Sequence, residues 1–210
     1  MINLKFKINN LKFSSGFTLI EVIISVAIFS LLIGGIVALA SNILVSSGKQ
    51  STLLNNTDQA RKAAFKIINQ LRNAQTAASG AYPISTAGAQ QLIFYSDTGT
   101  EVDRINYYIQ NGVLKMGITR PVANAYNLAT ETVTTVQNDL GNGANPVFLY
   151  YGDTYNGVTG NALTQPVNVT AVKFIKVNIT VYNKAGVTGT ATYTISAGGA
   201  VRNLKTNLGS

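Results

Sequence analysis

The 210-residue chain has no cysteine, no histidine and no tryptophan. Without cysteine it cannot form disulfides, thiolate nucleophiles or cysteine-ligated zinc and iron–sulfur sites. Without histidine it lacks Ser-His-Asp triads, Cys-His dyads and histidine-ligated metals. The chain is also poor in charge, because only 11% of its residues are charged, against about a quarter in an average soluble domain. These absences remove most of the side chains that enzymes use, and we expect no enzymatic activity.

The charge that is present is mainly positive, with a formal net charge of +8. Such a balance is typical of proteins that bind nucleic acid or anionic surfaces. Three of the bases, which we name the leader lysines, are Lys5, Lys7 and Lys12, and they precede a long apolar segment. The longest basic run after that segment is Arg61-Lys62. We interpret this remaining charge as a solvated surface, and we do not expect nucleic acid to be a partner.

Between residues 17 and 40 the only charged side chain is Glu21. A helix of this length covers roughly 36 Å, which is enough to cross the core of a bilayer. The leader lysines lie before the segment and the next charged residue, Lys49, lies well after it. The positive-inside rule then places the N-terminus in the cytoplasm and the rest of the chain outside. The sequence predicts a single-pass protein of the cytoplasmic membrane.

Two ordinary membrane segments are alternatives. A cleaved secretory signal has a shorter apolar core, of about 7–15 residues, although Ala38-Leu39-Ala40 resembles a signal-peptidase site. An uncleaved signal anchor accounts for the long apolar segment and for the leader lysines before it, but it does not account for Glu21. A carboxylate inside a spanning segment costs about 2.5–3.5 kcal/mol and needs a partner or a purpose, and no basic side chain stands near Glu21 in the sequence.

The residues around Glu21 resemble the processing site of type IV prepilins and pseudopilins. The stretch Ser14-Ser15-Gly16-Phe17-Thr18-Leu19-Ile20-Glu21-Val22 follows a basic leader and opens a long apolar helix. The resemblance implies that a prepilin peptidase cuts between Gly16 and Phe17 and that Phe17 becomes an N-methylated amino terminus. It also implies that Glu21, in an assembled filament, neutralises the amine of Phe17 on a neighbouring subunit. Opposite charges in an apolar bundle are tolerated only as a pair.

The sequence departs from many filament-forming members at one point. Those members have a proline in the second half of this helix, where the present chain has Gly34-Gly35. Each glycine weakens a helix by about 1 kcal/mol relative to alanine. Small residues also let neighbouring helices approach closely, and we interpret Gly34-Gly35 in that way.

An amphipathic pattern follows the apolar segment. Apolar residues recur at a spacing of three to four, in Leu53, Ala60, Ala64, Ile67, Leu71 and Ala74. This spacing is typical of a helix with one buried face. Ser79-Gly80 and the nearby Pro83 predict the end of the helix. We expect one helix from Phe17 to about Ala78.

The remaining sequence is rich in the residues of strands and turns. The strongest hairpin joins strands 105–110 and 113–116 through Asn111-Gly112. Further strands are predicted at 92–95, 147–151, 171–182 and 190–196, with a short one near 132–136 in an otherwise irregular 121–146. Within 171–182 the inward face is predicted to carry Ala171, Lys173, Ile175, Val177, Ile179 and Val181.

The predicted fold is therefore α+β, with a long N-terminal helix packed on an antiparallel β-sheet, as in pilins. We divide the chain into a removed leader at 1–16, a transmembrane helix at 17–41, an amphipathic helix at 42–80 and a sheet domain at 81–210. The order of strands, with a Ser96-Asp97 turn and a late Arg202-Asn203, loosely resembles minor pilins and minor pseudopilins.

Two motifs outside the N-terminus suggest chemistry. Asp97-Thr98-Gly99 matches the D-T-G of aspartic proteases, but those enzymes need two such loops to share a proton, and this chain has one. We interpret it as a tight turn. A basic patch of Arg61, Lys62 and Lys66 is a weak candidate for nucleic acid. The same patch is equally suited to face a neighbouring subunit.

Calcium is the other ligand considered, because some pseudopilins hold it in a loop. Asp139 with Asn142 and Asn145, or Asp153 with Asn156, offers oxygen atoms of the kind calcium prefers. Neither stretch has the alternating acidic density of a dedicated loop. The sequence therefore predicts no metal and no cofactor.

These observations predict a structural subunit, either a minor pilin or a pseudopilin, of a type IV pilus or a type II secretion-like filament. The partners implied by the resemblance are other pilin subunits, the prepilin peptidase, the inner membrane, and an assembly platform with its ATPase. The alternative is a secreted or membrane-anchored β-rich adhesin that only mimics the processing site.

Overall fold

The structure, a computed structural model, describes residues 16–182 and 192–201. One long helix, Leu19–Arg72, is followed by β-structure whose strand pairs are all antiparallel. This architecture confirms the predicted α+β class. The chain divides into two compact units, with the boundary between Ser47 and Gly48.

The N-terminal unit is the apolar half of the helix. From residue 16 to residue 47 every side chain is exposed. The described residues contain one helix that is long and apolar enough to cross a membrane, and none of its apolar window is buried. The hydroxyls of Ser25 and Ser30 donate to the carbonyl oxygens of Glu21 and Val26, at 2.7 and 2.8 Å. These bonds pair both hydroxyls within the helix itself.

The C-terminal unit contains the second half of the helix and the strands. The strands are β1 (Ile84–Ala87), β2 (Gln91–Asp97), β3 (Val102–Gln110), β4 (Val113–Thr119), β5 (Pro121–Val122), β6 (Ala125–Tyr126), β7 (Thr132–Gln137), β8 (Phe148–Tyr151), β9 (Phe174–Tyr182) and β10 (Thr192–Ala200). They form a five-stranded sheet in the order β1-β2-β3-β4-β7, a three-stranded sheet in the order β10-β9-β8, and the β5-β6 hairpin. Two short 3-10 helices, Leu128–Thr130 and Val169–Ala171, complete the unit.

The helix ends earlier than predicted, at Arg72 rather than near Ala78. Its last turn tightens, because the Ala74 N–H donates to the carbonyl oxygen of Leu71 at 3.1 Å. The next residue then leaves the helix, and the Gln75 N–H donates to the carbonyl oxygen of Tyr95 in β2 at 2.9 Å. Pairing with β2 therefore ends the helix, and the predicted stop signal at residues 79 and 80 forms a separate turn.

The buried face of the helix is the predicted apolar stripe. Its buried residues are Ala60, Ala63, Ala64, Ile67, Ile68, Leu71 and Ala74, whereas Leu53 is only half-buried. The small alanines allow the strands to approach closely. Two hydroxyls also bind Gln70, because Ser96 Oγ donates to its main-chain oxygen at 2.9 Å and Tyr107 Oη donates to its Oε1 at 2.5 Å. The helix-on-sheet packing is therefore apolar with a small polar centre.

The predicted β3–β4 hairpin is confirmed. Asn111 and Gly112 both have positive φ angles, of 52° and 71°, as a type I′ turn requires. The inward face of β9 is confirmed at Ile175, Val177, Ile179 and Val181, which are all buried. The prediction was wrong at Ala171 and Lys173, because the strand begins at Phe174 and Ala171 belongs to a 3-10 helix.

The β-structure is divided where a single sheet was expected. The division falls between β7 and β8, whereas β4 and β7 pair with each other across an excursion that holds the β5–β6 hairpin and the first 3-10 helix. Tyr126 fixes this excursion, because its hydroxyl accepts from the Ala78 N–H at 3.0 Å and donates to the Val102 carbonyl oxygen at 2.6 Å. The predicted turn at 183–189, the leader up to residue 15 and Arg202-Asn203 lie outside the described residues.

Gly199 lies where β10 meets the helix. A Cβ atom on Gly199 would stand 2.7 Å from Cγ2 of Ile68, which is closer than real contacts allow. We expect Gly199→Ala to lower the free energy of unfolding by about 1–3 kcal/mol, because a well-packed core must shift to accept it. Gly152→Ala is the matched control, since its Cβ would meet the Ala171 carbonyl oxygen at an ordinary 3.6 Å. Urea unfolding of the detergent-solubilised chain measures both, and equal stability of the two variants would contradict this packing.

Candidate processing and assembly site

The segment before the helix is open to solvent. Within residues 16–182 and 192–201, no atom other than those of its chain neighbour lies within 4 Å of the position that a Cβ of Gly16 would occupy, and Phe17 is 80% exposed. The helix begins two residues later, at Leu19. The peptide bond between Gly16 and Phe17 is therefore accessible and lies outside regular structure, as a protease substrate requires.

Glu21 lies in the first turn of the helix. Its backbone N–H donates to the Thr18 carbonyl oxygen at 3.0 Å, and the Val22 N–H donates to the same oxygen at 3.2 Å. The carboxylate is exposed and makes no ion pair with any residue within 16–182 and 192–201. Glu21 is therefore a charged group on an apolar surface that gains no partner from the described part of its own chain.

The sequence analysis did not consider a local role for Glu21. Thr18 precedes the first helical residue, and Glu21 stands three positions later, which is the spacing of a capping box, although the structure shows the Glu21 N–H bonded to the Thr18 carbonyl oxygen rather than to its side chain. A carboxylate there also faces the positive end of the helix dipole. The T-x-x-E pattern was the signal that could have shown this. Glu21 thus has a helix-capping alternative, in which glutamine would serve as well as glutamate.

The helix beyond Glu21 presents apolar side chains on all sides. Among the most exposed are Leu19, Leu31, Leu44, Ile43, Phe29, Ile36 and Leu39, each at 65% or more. An apolar surface of this extent marks a site of contact with a membrane or with other proteins. The arrangement therefore fits a single-pass membrane anchor that can also pack against similar helices.

The D-T-G motif forms the predicted turn. Asp97 Oδ1 accepts from the Gly99 N–H at 2.7 Å, and Gly99 has a φ of 110°. Thr98 Oγ1 donates to the carboxylate of Asp103 at 2.6 Å. The motif residues are therefore engaged in local turn bonds, and the turn interpretation is confirmed.

Two of the three asparagines considered for calcium, Asn142 and Asn156, use their side-chain oxygens in hydrogen bonds within the protein. Asn142 Oδ1 accepts from the Thr180 N–H at 2.8 Å. Asn156 Oδ1 accepts from the N–H groups of Val158 and Thr159 at 2.9 and 2.7 Å. No group of three acidic residues suited to a metal occurs in the described part of the chain. Both asparagines stabilise loops by hydrogen bonds to the backbone.

The tyrosines with the most strongly shifted pKa values belong to the core. Burial raises the pKa of the Tyr107 and Tyr150 hydroxyls well above the usual value, because the charged form would lose its hydration. Tyr107 donates to Gln70, and Tyr150 donates to the Gly88 carbonyl oxygen at 2.8 Å. These shifts follow from burial between the helix and the sheets, so they do not point to an active site.

The polar side chains on the outer face of the five-stranded sheet form a second structural cluster. The Glu131 carboxylate accepts from Arg104 and from Asn106, in each case at 3.3 Å. It lies over Gly117, where a Cβ would come within 2.4 Å of it. Gly117 therefore provides the space for this ion pair, which holds the excursion between β4 and β7 against the sheet.

Comparison with known families bears on the N-terminal segment. A family model described as the prokaryotic N-terminal methylation motif matches residues 11–37. This motif is the signature of type IV prepilins and pseudopilins, so the resemblance drawn from the sequence is confirmed over that stretch, which contains Gly16, Phe17 and Glu21. No curated protein sequence matches the chain. The motif points to a processed structural subunit with a membrane-anchored helix, rather than to an enzyme.

Proposed function

We propose that the chain is a structural subunit, a minor pilin or pseudopilin, of a type IV pilus or a type II secretion-like filament. The observation that carries this proposal is the combination at the N-terminus. A methylation motif leads directly into a helix whose apolar side chains are exposed on every side. A membrane anchor alone would need the helix, but it would need neither the motif nor Glu21.

Processing is the first step of the proposed function. A prepilin peptidase cuts after Gly16, and the new amino terminus of Phe17 is methylated. The exposure of Gly16 and Phe17, and the open space around Gly16 on the described side of the cut, support this assignment. A peptidase that binds the chain in extended form needs close approach to the backbone, and glycine presents no Cβ to prevent it.

Assembly is the second step. The apolar helices of neighbouring subunits bundle, and the Glu21 carboxylate pairs with the terminal amine of Phe17 on the next subunit. Glu21 has no ion pair in the described part of its own chain, which supports a partner from outside. Two opposite charges in an apolar bundle stabilise it only when they meet, since either alone carries the full cost of desolvation.

The proposed location follows from the charge around the apolar segment. The leader lysines stay in the cytoplasm by the positive-inside rule, so the unit that begins at Gly48 lies outside the inner membrane. Assembly then requires a platform in that membrane and a cytoplasmic ATPase, because a helix leaves the bilayer only against the hydrophobic effect. The other pilin subunits supply the apolar surface that replaces the lipid.

The mature N-terminus tests the proposal. The chain, expressed in a host with a prepilin peptidase and purified from its membranes, should give an N-terminal peptide that begins with methylated Phe17 in mass spectrometry. A host without the peptidase is the control and should give the uncut chain. An N-terminus at Ser41, after signal-peptidase cleavage, or at Met1 in both hosts would contradict the proposal and favour the anchored adhesin.

A further inference from the structure

Among the described residues, the last strand of the five-stranded sheet, β7, has no neighbouring strand on one side. The sheet order places β7 at the end, next to β4 alone. None of the backbone hydrogen bonds made by turns and loops in the described residues reaches Thr132–Gln137. At the other end of the sheet, β1 lies against the 3-10 helix Val169–Ala171. The free edge of β7 is thus open along its length.

The direction of the free hydrogen-bonding groups follows from the β3–β4 hairpin. Gln110 and Val113 flank a type I′ turn and therefore form a hydrogen-bonded pair. Hydrogen-bonded and non-hydrogen-bonded pairs alternate in an antiparallel ladder. Met116 belongs to a non-hydrogen-bonded pair with β3, so its N–H and C=O point to the other side of β4, where they bond to Thr134 of β7. The adjacent Val133 then directs both its N–H and its C=O away from β4. These two groups are available to an incoming strand.

The sequence of β7 carries few of the devices that protect an edge. Natural edges are blunted by lysine, proline, bulges or short length. The six residues of β7, Thr-Val-Thr-Thr-Val-Gln, contain no charge and no proline, and all but the last two are exposed. A register shift occurs opposite Leu114 and Lys115, at the end near Gln137. The part from Thr132 to Thr134 is a regular and exposed strand with high β-propensity.

A basic groove follows the same edge. It has a volume of about 470 Å³ and separates β7 from the helix. Its lining residues are Gln59, Lys62, Ala63, Lys66, Met116, Thr134, Thr135 and Val136. Lys62 makes an ion pair with Asp58 at 2.7 Å, whereas Lys66 makes none within the described residues. The groove is lined by two bases and no acid.

We infer that β7 binds an extended, acidic segment of another protein by strand addition. The main chain of that segment pairs with Val133 and its neighbours, as in other sheets that accept a strand. Its acidic side chains face Lys62 and Lys66. A second copy of this chain fits the edge less well, because symmetric pairing of β7 with β7 would bring the lysines of both copies to the same seam. This binding is separate from helix bundling and does not require a filament.

Synthetic peptides test the inference on the full chain in detergent micelles. The probe is a ten-residue peptide of alternating valine and threonine in which three threonines, all on the one face of the strand that can turn toward Lys62 and Lys66, are replaced by glutamate. We expect it to bind at least about tenfold more tightly than the same peptide with lysine in place of glutamate. N-methylation of the amides along one edge of the acidic peptide should weaken binding by about tenfold or more, because those amides can no longer donate. Fluorescence anisotropy of labelled peptides measures each affinity.

Three variants assign the binding to the edge. Lys66→Glu should weaken the affinity for the acidic peptide by about tenfold. Arg61→Glu makes the same charge change on the same helix but outside this groove, and it should change the affinity by about threefold at most. Val133→Pro removes the outward N–H while leaving the ladder to β4 intact, and it should abolish binding. If Val133→Pro fails to fold by circular dichroism, Lys66→Glu and the N-methylated peptide still decide the question.

Three results would overturn the inference. One is equal affinity for the acidic and basic peptides, and another is affinity that does not respond to N-methylation. The third is self-association of the parent chain that Val133→Pro removes, which would assign the edge to a second copy. Failure of Phe17 to appear as the mature N-terminus would leave all three measurements unaffected.

Discussion

Glu21→Gln should prevent the chain from entering filaments while leaving membrane insertion and cleavage after Gly16 unchanged. Glutamine keeps the size of the side chain and can still serve at the third position of a capping box. It removes only the charge that would pair with the terminal amine of Phe17. Insertion should be retained or improved, since a carboxylate in a spanning segment costs about 2.5–3.5 kcal/mol. Glu21→Val should fail in assembly in the same way.

The yield of the chain in sheared filaments, or its co-purification with partner pilins, measures the effect of Glu21→Gln. Glu101→Gln is the matched control, because it makes the same change at an exposed turn of the sheet unit and should assemble like the parent. If Glu21→Gln assembled normally and Glu21→Val did not, Glu21 would act through helix capping. If both assembled normally, neither charge nor capping at this position would matter for assembly.

Gly16→Val should stop processing, so that the chain accumulates at its full 22.3 kDa. A branched side chain beside the cut opposes the close backbone approach that a peptidase needs. Gly16→Ala should be processed poorly, because even one methyl group enters that space. A Cβ at this position meets no atom of the described residues beyond its chain neighbours, so we do not expect the substitution to disturb the fold of that part of the chain. Mass spectrometry of membrane extracts distinguishes the cut and uncut chains.

The control for Gly16→Val is Gly35→Ala, a substitution in the apolar helix that also meets no atom within 4 Å. It should leave cleavage unchanged, since it lies far along the chain from the cut. If Gly16→Val were processed normally, the cleavage site would have to lie elsewhere in the chain. The assignment of Phe17 as the first mature residue would then be wrong.

Local patterns in the sequence predicted the features whose cause is local. The Asn111-Gly112 turn follows from the two residues that tolerate positive φ angles. The buried face of β9 follows from alternation along one strand. The end of the helix does not, because it depends on pairing between residues near Ala74 and β2. The position of the excursion between β4 and β7 likewise depends on Tyr126, whose partners Ala78 and Val102 lie far away in the sequence.

The candidate site shows the same distinction. The site proposed at Gly16, Phe17 and Glu21 is a linear motif that a family model also matches, and a linear motif can be proposed from the sequence alone. The free edge of β7 was not predicted, although its strand was expected near residues 132–136. Whether a strand is central or at an edge is decided by which other strands lie beside it. The sequence also could not show that the side-chain oxygen of Asn142, considered as a calcium ligand, accepts a hydrogen bond from the Thr180 N–H of β9, because the two residues lie far apart in the chain.

The paired hydroxyls in the apolar helix have a mechanical consequence. The hydroxyls of Ser25 and Ser30 are the only side-chain donors of these residues, and both donate to carbonyl oxygens of their own helix. From residue 19 to residue 40 the surface then offers no side-chain donor that would hold a neighbouring helix at a fixed height. Dispersion contacts between apolar side chains are individually weak and non-directional, so they select an axial position less sharply than a charge pair does. In the bundle proposed above, Glu21 is then the main group that fixes one helix against the next, and we expect a stretched bundle to yield by helices slipping until the charges meet their next partners.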